Sequence, residues 1–240
     1  MSEQPMGAKP DAKSRLLMAM LEHVPFDGWS DASLEAAAAE CGLDLAEARA
    51  MCPRGPVDLA VAAHKAGDEA MQAGMADLEM DDLRYSEKVA ALVRLRLECA
   101  GDKEVVRRAT TLFALPHHAA EGAKLIWDTA DTVWNALGDT SDDLNWYSKR
   151  AILSGVYGST VLFWLGDTSE EHSATWAFLD RRIANVMQFE KTKSQLQKNP
   201  FITRLMAGPG KIIASIKAPN RTPPDDLPGY WDTTTKESKT

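Results

Sequence analysis

Few side chains in this sequence have the types and spacing that chemistry needs. His117 and His118 follow Pro116 in "LPHHAAEG", and His118 and Glu121 are three residues apart, close enough to share one helix face. An imidazole and a carboxylate so placed could hold one edge of a metal ion. Adjacent histidines diverge on a helix, however, and one such His–Glu pair is weak evidence for a metal site. A turn or cap is the plainer reading of this pair. "GPGKI" at 208–212 resembles the end of a phosphate-binding loop, but Ile212 stands where a Mg²⁺-binding hydroxyl is required. There is no G-x-S-x-G elbow for a serine nucleophile. There is no Glu-x-x-His either, which removes the paired motif of a carboxylate-bridged di-iron bundle. Cys41, Cys52 and Cys99 share no C-x-x-C spacing and suit a reducing compartment rather than a disulfide or zinc framework. No catalytic residue, metal or cofactor is expected, and the chain reads as a non-enzyme.

The elements that carry these residues have helical period almost throughout. Leu16, Leu17, Met20, Leu21 and Val24 form one stripe of a first helix, and "PFDGWS" then turns the chain. Ser30 or Asp31 can cap a second helix running to about Cys41; Gly42 ends it, and a third spans Asp44 to Met51. Pro56 suits the first turn of a fourth helix reaching about Glu79. Further helical patterns follow at about 85–100, 103–115, 119–137, 142–165 and 170–195, with no strand-type alternation. The predicted fold is all-α. Two short helices joined by a glycine turn after a longer one make a helix-turn-helix unit, and with a larger helical domain behind it the order resembles the TetR-type repressors.

Charge tests that resemblance. From Met1 to Asp180 there are 16 Lys or Arg against 30 Asp or Glu, whereas Arg181 to Arg221 holds nine basic residues against Glu190 alone. Across Asp31 to Cys52, where a recognition helix would meet phosphates, five acids face one base, Arg49. Such a surface repels a duplex. The unit reads as a helix-turn-helix scaffold without DNA binding, and no nucleic-acid partner is expected. The rival is a ligand-sensing repressor, which would show salt-sensitive duplex binding.

Two segments carry more information. In "DDLNWYSKRAIL" (142–153), Trp146 and Tyr147 are adjacent and point about 100° apart on a helix. One stripe of that helix holds Leu144, Tyr147, Ser148, Ala151, Gly155, Gly158 and Leu162; the opposite one holds Trp146, Leu153, Tyr157 and Trp164, with Arg150 beside Trp146. The small residues Ala151, Gly155 and Gly158 suit close packing against another helix, a candidate dimer contact. Trp146 has two open placements: stacked under Arg150 as a local cation–π pair, or presented to a partner as an interface anchor. The second segment is "NPFITRLMAGPGKIIASIKAP". Phe201, Ile202, Leu205, Met206, Ile212, Ile213 and Ile216 fall on one side of a helical projection, with Lys211 and Lys217 toward the other side or its edge. This is the pattern of a membrane-interface helix, interrupted by Pro209; a terminal helix packed on the protein's own core is the alternative. Trp127, Trp134 and Trp164 either belong to plain core or line a lipid pocket.

Several ordered blocks resemble one family. They are "LPH" at 115–117, "DLNWYSKRA" ending at Ala151, "VY" at 156–157, "WAFLDRR" from Trp176 to Arg182, and the opening "MLEHVPFDGWS". Together they are similar to the lipid-binding accessory proteins of ubiquinone (coenzyme Q) biosynthesis. The resemblance implies a TetR-like fold, no enzymatic activity, a homodimer, an isoprenoid quinone or other lipid bound in the helical domain, and peripheral attachment to a membrane surface. It further implies a ubiquinone-pathway hydroxylase as partner, met through a patch carrying Asn145, Trp146, Tyr147 and Arg150.

The expected organisation is a disordered start (1–12), the helix-turn-helix unit (13–60), a lipid-binding and dimerisation domain (61–195), an amphipathic membrane segment (196–217) and a Pro-rich tail (218–240). The first residues lack the pattern of a transit peptide, so the expected location is the bacterial cytoplasm, at the inner membrane.

Overall fold

The computed structural model describes residues 11–197 and residue 218. The membrane-interface set from Phe201 to Lys217 and most of the Pro-rich tail lie outside the described residues. Within them the chain is helical and without strands. Nine α-helices follow in order: α1 (Ala12–Asp27), α2 (Asp31–Glu40), α3 (Leu45–Met51), α4 (Pro56–Gly74), α5 (Tyr85–Glu98), α6 (Lys103–Phe113), α7 (Ala119–Ala136), α8 (Leu144–Gly166) and α9 (Ser173–Gln197).

Local chemistry explains the boundaries. The Asp11, Ser30, Asp44, Asp102 and Asp143 side chains each accept a backbone N–H from the first turn of the helix that follows. Asp44 and Glu47 complete a capping box on α3, and Pro56 occupies the first turn of α4. The first turn of the chain falls later than "PFDGWS" suggests. Pro25 is tolerated inside α1, which runs on to Asp27 and stops at Gly28 with φ +69°. Similarly, α4 ends at Gly74, and a short 3₁₀ turn (Met75–Asp77) takes up the remainder of the predicted helix.

Two apolar clusters hold the fold together. One joins Leu16, Met20 and Val24 of α1 to Leu34, Ala37 and Ala38 of α2, Ala48 of α3, Leu59 of α4 and Val105 of α6. The other joins Met71, Leu92, Val93, Leu97, Val133, Leu153, Val156, Tyr157, Trp164 and Leu179 from α4, α5, α7, α8 and α9. Helix α6 touches both groups, packing on α1 on one side and on α7 and α8 on the other. No helix among the described residues is long and apolar enough to cross a membrane.

Helix α8 settles which of its two apolar stripes faces inward. Trp146, Arg150, Leu153, Val156, Tyr157, Thr160, Trp164 and Leu165 are buried. Ala151 and Gly155 are exposed, as are Leu144 and Leu162, the last at 62%. The stripe of small residues is therefore largely an outer face in the single chain.

Candidate functional site

A cleft of about 460 Å³ lies between α4, α6, α7 and α8. Val106, Ala109 and Phe113 of α6, Leu125 and Ile126 of α7, and Tyr157, Gly158, Val161 and Leu162 of α8 line it, with His64 of α4 at one side. Its existence follows from residue size. Ala109, Ala114, Ala123 and Gly158 stand at facing positions where a closed core would carry Leu or Ile. One wall is fixed by a close approach: a Cβ added to Gly122 would lie 2.7 Å from Phe113 Cβ, so glycine alone lets the end of α6 meet the start of α7. Exposed Ala114, Ala123 and Leu162 belong to the lining and place solvent access at that side.

A buried polar network borders the cleft. Arg96 Nε donates to Asp68 Oδ1 at 2.6 Å, and an Arg96 terminal nitrogen donates to the His64 carbonyl at 2.9 Å. The Thr129 hydroxyl is within reach of Asp68 Oδ1 (2.9 Å) and the Leu125 carbonyl (3.2 Å). His64 Nε2 lies 2.9 Å from Thr129 Oγ1 and joins the same network, in a direction that follows the imidazole tautomer. Burial, and after it the neighbouring Arg96 cation, hold the His64 pKa down at about 4 despite the Asp68 carboxylate. Burial likewise pushes the Tyr157 phenol up, against the pull of Arg96, so both groups at this wall are neutral at pH 7. Neutral walls suit an apolar guest.

A pH dependence of stability follows. A histidine whose folded pKa lies below its unfolded value near 6.5 contributes fully above that value and is destabilising once the unfolded chain takes up the proton. Stability is expected to fall by about 3 kcal/mol between pH 6.5 and 4 on account of His64. Urea denaturation at pH 7 and pH 4.5 checks it: His64→Gln should reduce the difference between the two, and an unchanged difference would contradict the account.

Trp127, Trp134 and Trp164 have two readings from sequence, plain core and pocket lining. None of Trp127, Trp134 and Trp164 lines the cleft. Trp134 stacks on Tyr85 with Lys149 Nζ 5.5 Å from its ring; Trp164 is a core residue beneath Lys103; Trp127 packs against Trp146 at 6.0 Å. Large aromatics fill space, and the cleft lies where they are absent. Of the two placements open to Trp146, the structure shows the stacked one: it is only 8% exposed, its ring lies 4.0 Å under the Arg150 guanidinium, and Tyr147 meets it edge-on at 4.8 Å.

Arg150 itself is fully buried, donating to Asp131 Oδ1, Asp139 Oδ2, Asn135 Oδ1 and the Trp146 carbonyl. Burial would push the Asp139 carboxyl up, but hydrogen bonds from Lys149, Ser141 and Arg150 prevail and bring it to about 2. Arg150 and Asp139 thus form the buried centre of an ion-pair cluster, while Asp142 and Asp143 at the start of α8 stay exposed. Asn145 and Leu144 are exposed there, and Tyr147 is half-buried. The network around His64 and the small-residue lining were not identified from sequence; Ala109, Ala114 and Gly158 on facing helices were the only signal.

His117 is exposed and His118 half-buried in the turn before α7; their rings lie 4.1 Å apart, and no group of three metal-binding side chains occurs among the described residues.

With this geometry in view, comparison with solved structures defines the class. The fold matches a TetR transcriptional regulator from Nitrosomonas europaea with a TM-score of 0.57, over 72% of this chain and 95% of the other, at 21% identity. That likeness establishes a TetR-like fold. Within that class, residues 119–190, from α7 into α9, match the COQ9 family model. The bovine mitochondrial ubiquinone biosynthesis protein COQ9 is 28% identical over 205 residues, covering 81% of this chain, and its human counterpart is 26% identical over 205 residues. The Drosophila melanogaster relative of the same name is 31% identical over 79% of this chain. The resemblance read from the sequence blocks is thereby borne out.

This chain spans 63% of the bovine relative's length and 64% of the human one. The comparisons overturn one expectation. The bovine, rat, human and Dictyostelium relatives are all named as mitochondrial, against the expected bacterial cytoplasm. Since the chain spans under two thirds of the mammalian relatives, the lack of a transit-peptide pattern in its first residues carries no weight on location.

Proposed function

We propose that this protein acts in ubiquinone biosynthesis as a non-catalytic accessory protein: it takes the tail of a polyprenyl quinone intermediate into the cleft between α4, α6, α7 and α8 and presents the molecule to a hydroxylase. One observation carries the reading: a cleft of about 460 Å³ with almost wholly apolar walls and neutral polar groups at its border. That volume lies within the range of about 300–1,000 Å³ usual for small-molecule sites. Sequestering an apolar tail there removes it from water, worth about 25 cal/mol per Å² of tail surface. The relatives named for ubiquinone biosynthesis indicate which apolar molecule. A mitochondrial setting accords with their names.

The remaining parts are assigned by the same reading. Phe201, Ile202, Leu205, Met206, Ile212, Ile213 and Ile216, with Lys211 and Lys217, attach the protein to an anionic membrane surface, so that the tail passes from bilayer to cleft without crossing water. The hydroxylase meets the start of α8 through Asn145 and Tyr147, which Trp146 and Arg150 hold from behind. The outer stripe of Ala151 and Gly155 is the contact between two copies. The helix-turn-helix unit is a scaffold whose α2–α3 surface carries an excess of acid and binds no duplex. The experiment is transfer: protein mixed with uncharged phosphatidylcholine vesicles holding decylubiquinone, then released at high salt and separated by flotation, should carry the quinone into the vesicle-free fraction. Quinone left entirely in the vesicles would overturn the reading.

A further inference from the structure

Trp127 is half-buried on α7, and among the described residues neither apolar cluster contains it or Trp146. Its ring packs on Trp146 at 6.0 Å, and Trp146 meets Tyr147 edge-on at 4.8 Å. The three rings form a row of their own beside the two cores. Trp146 is the buried middle of the row, and the half-buried Trp127 and Tyr147 flank it. A large aromatic ring left partly open to solvent, yet held in place by another ring, is a ready surface for a flat guest.

The row joins two places that the proposed function needs to connect. At one end, Ile126, the residue before Trp127, lines the cleft, as does exposed Ala123, which is four residues from Trp127 and shares its face of α7. At the other end, Tyr147 lies beside exposed Asn145 at the start of α8. Along α8 itself these places are well separated. Gly158 of the cleft and Tyr147 are eleven residues apart on one helix, about 16 Å at 1.5 Å per residue. A ring drawn inside the cleft would lie that far from the partner surface, whereas a ring on Trp127 lies between the two. The chemistry agrees. The cleft offers mostly small and aliphatic side chains, which suit a chain; the indole offers an electron-rich face, which suits a quinone ring depleted of electron density by its two carbonyls.

We propose that Trp127 is the platform for the quinone ring: the tail enters the cleft past Ala123, and the ring stacks on the indole outside it, in line with Trp146 and Tyr147. This rests on the lipid-binding reading and adds to it a direction and a chemical selection. The ring stays at the surface, where a hydroxylase at the start of α8 can take it, and a flat, electron-poor ring is favoured over a plain chain. Trp127 is a binding residue in this scheme; Trp146 positions it.

The test uses the full chain with ¹⁵N-labelled indole groups and two probes, decylubiquinone and 1-dodecanol, the second a tail without a ring. The Trp127 indole resonance, assigned by its loss in Trp127→Phe, should move on adding decylubiquinone and stay in place with dodecanol. Trp127→Leu should weaken decylubiquinone binding by about three- to tenfold, the size of one aromatic stacking contact, and leave dodecanol binding within about twofold. Decylubiquinone that binds without moving the resonance, or that binds Trp127→Leu as tightly as the wild type, would overturn the proposal and leave Trp127 as packing for Trp146. Equal movement with both probes would overturn it too, since a tail would then suffice. Binding of neither probe would instead sink the lipid reading, and the platform with it. Where Trp127→Leu fails to fold, the wild-type resonance still decides, because Trp127→Phe keeps a ring against Trp146 and supplies the assignment.

Discussion

Arg150→Met is expected to destabilise the fold by about 3–5 kcal/mol, lowering the melting temperature by about 10 °C for a domain of this size. Arg150 is fully buried, yet it carries a charge. It is stable there because Asp131 and Asp139 neutralise it, Asn135 and the Trp146 carbonyl accept its remaining protons, and the Trp146 ring receives its face at 4.0 Å. Methionine matches the length and would pack, but it strands Asp139, whose side chain is only 3% exposed, with Lys149 as its one remaining cation. Leaving a buried carboxylate short of partners costs more than the pair itself contributes.

Arg150→Lys should recover less than half of the loss, because an ammonium cannot bridge two carboxylates and cover an indole at once. Thermal unfolding followed by circular dichroism checks both variants. A shift under about 2 °C for Arg150→Met would contradict the description of this cluster. The same variant should weaken any partner contact made by Asn145 and Tyr147, since the ring that supports Tyr147 loses its cover.

Gly158→Phe is expected to lower the affinity for an isoprenoid quinone at least tenfold while keeping the fold intact. A Cβ added at Gly158 would meet Ile126 Cδ1 at 3.7 Å, an ordinary van der Waals contact, so the ring grows into the cleft rather than into backbone. Removing a mid-helix glycine also favours α8 by a few tenths of a kcal/mol. Stability should therefore stay level or rise slightly. The ring occupies volume that the tail needs, and binding suffers. Gly166→Phe is the matched control: its added Cβ would meet nothing within 4 Å, and Gly166 is exposed at the end of α8, away from Ala151 and Gly155, which are assigned to the contact between copies. Quinone binding should survive there within about twofold, less than half a kcal/mol. Equal loss at both positions, or no loss at Gly158, would place the ligand elsewhere.

How far the sequence was legible differs between parts of the molecule. Helix positions followed from capping side chains and 3.6-residue periodicity, both local properties, so α2, α3 and α5 to α9 fall within a few residues of their predicted spans. The end of α1 was misplaced because proline is disfavoured in a helix interior, whereas Pro25 sits in the last turn. The partner surface was harder to read. Trp146 beside Asp142, Asp143, Lys149 and Arg150 looks solvent-facing in one dimension; only the return of α7 and its loop brings Asp131 and Asp139 against Arg150 and turns that charge into a lid over a buried ring. The cavity was illegible for a related reason. Tryptophans advertise themselves in a sequence, but a void is made by small residues, and Ala109 and Gly158 mean nothing until three helices face one another.

The most direct test of the central claim is native mass spectrometry, with lipid extraction, of the protein purified from its own cells. The account predicts a co-purifying isoprenoid quinone or quinone precursor at about one per subunit, released on denaturation and absent from Gly158→Phe. Protein that carries no lipid, and takes up none from quinone-loaded vesicles, would contradict the account and leave the cleft without the guest proposed for it.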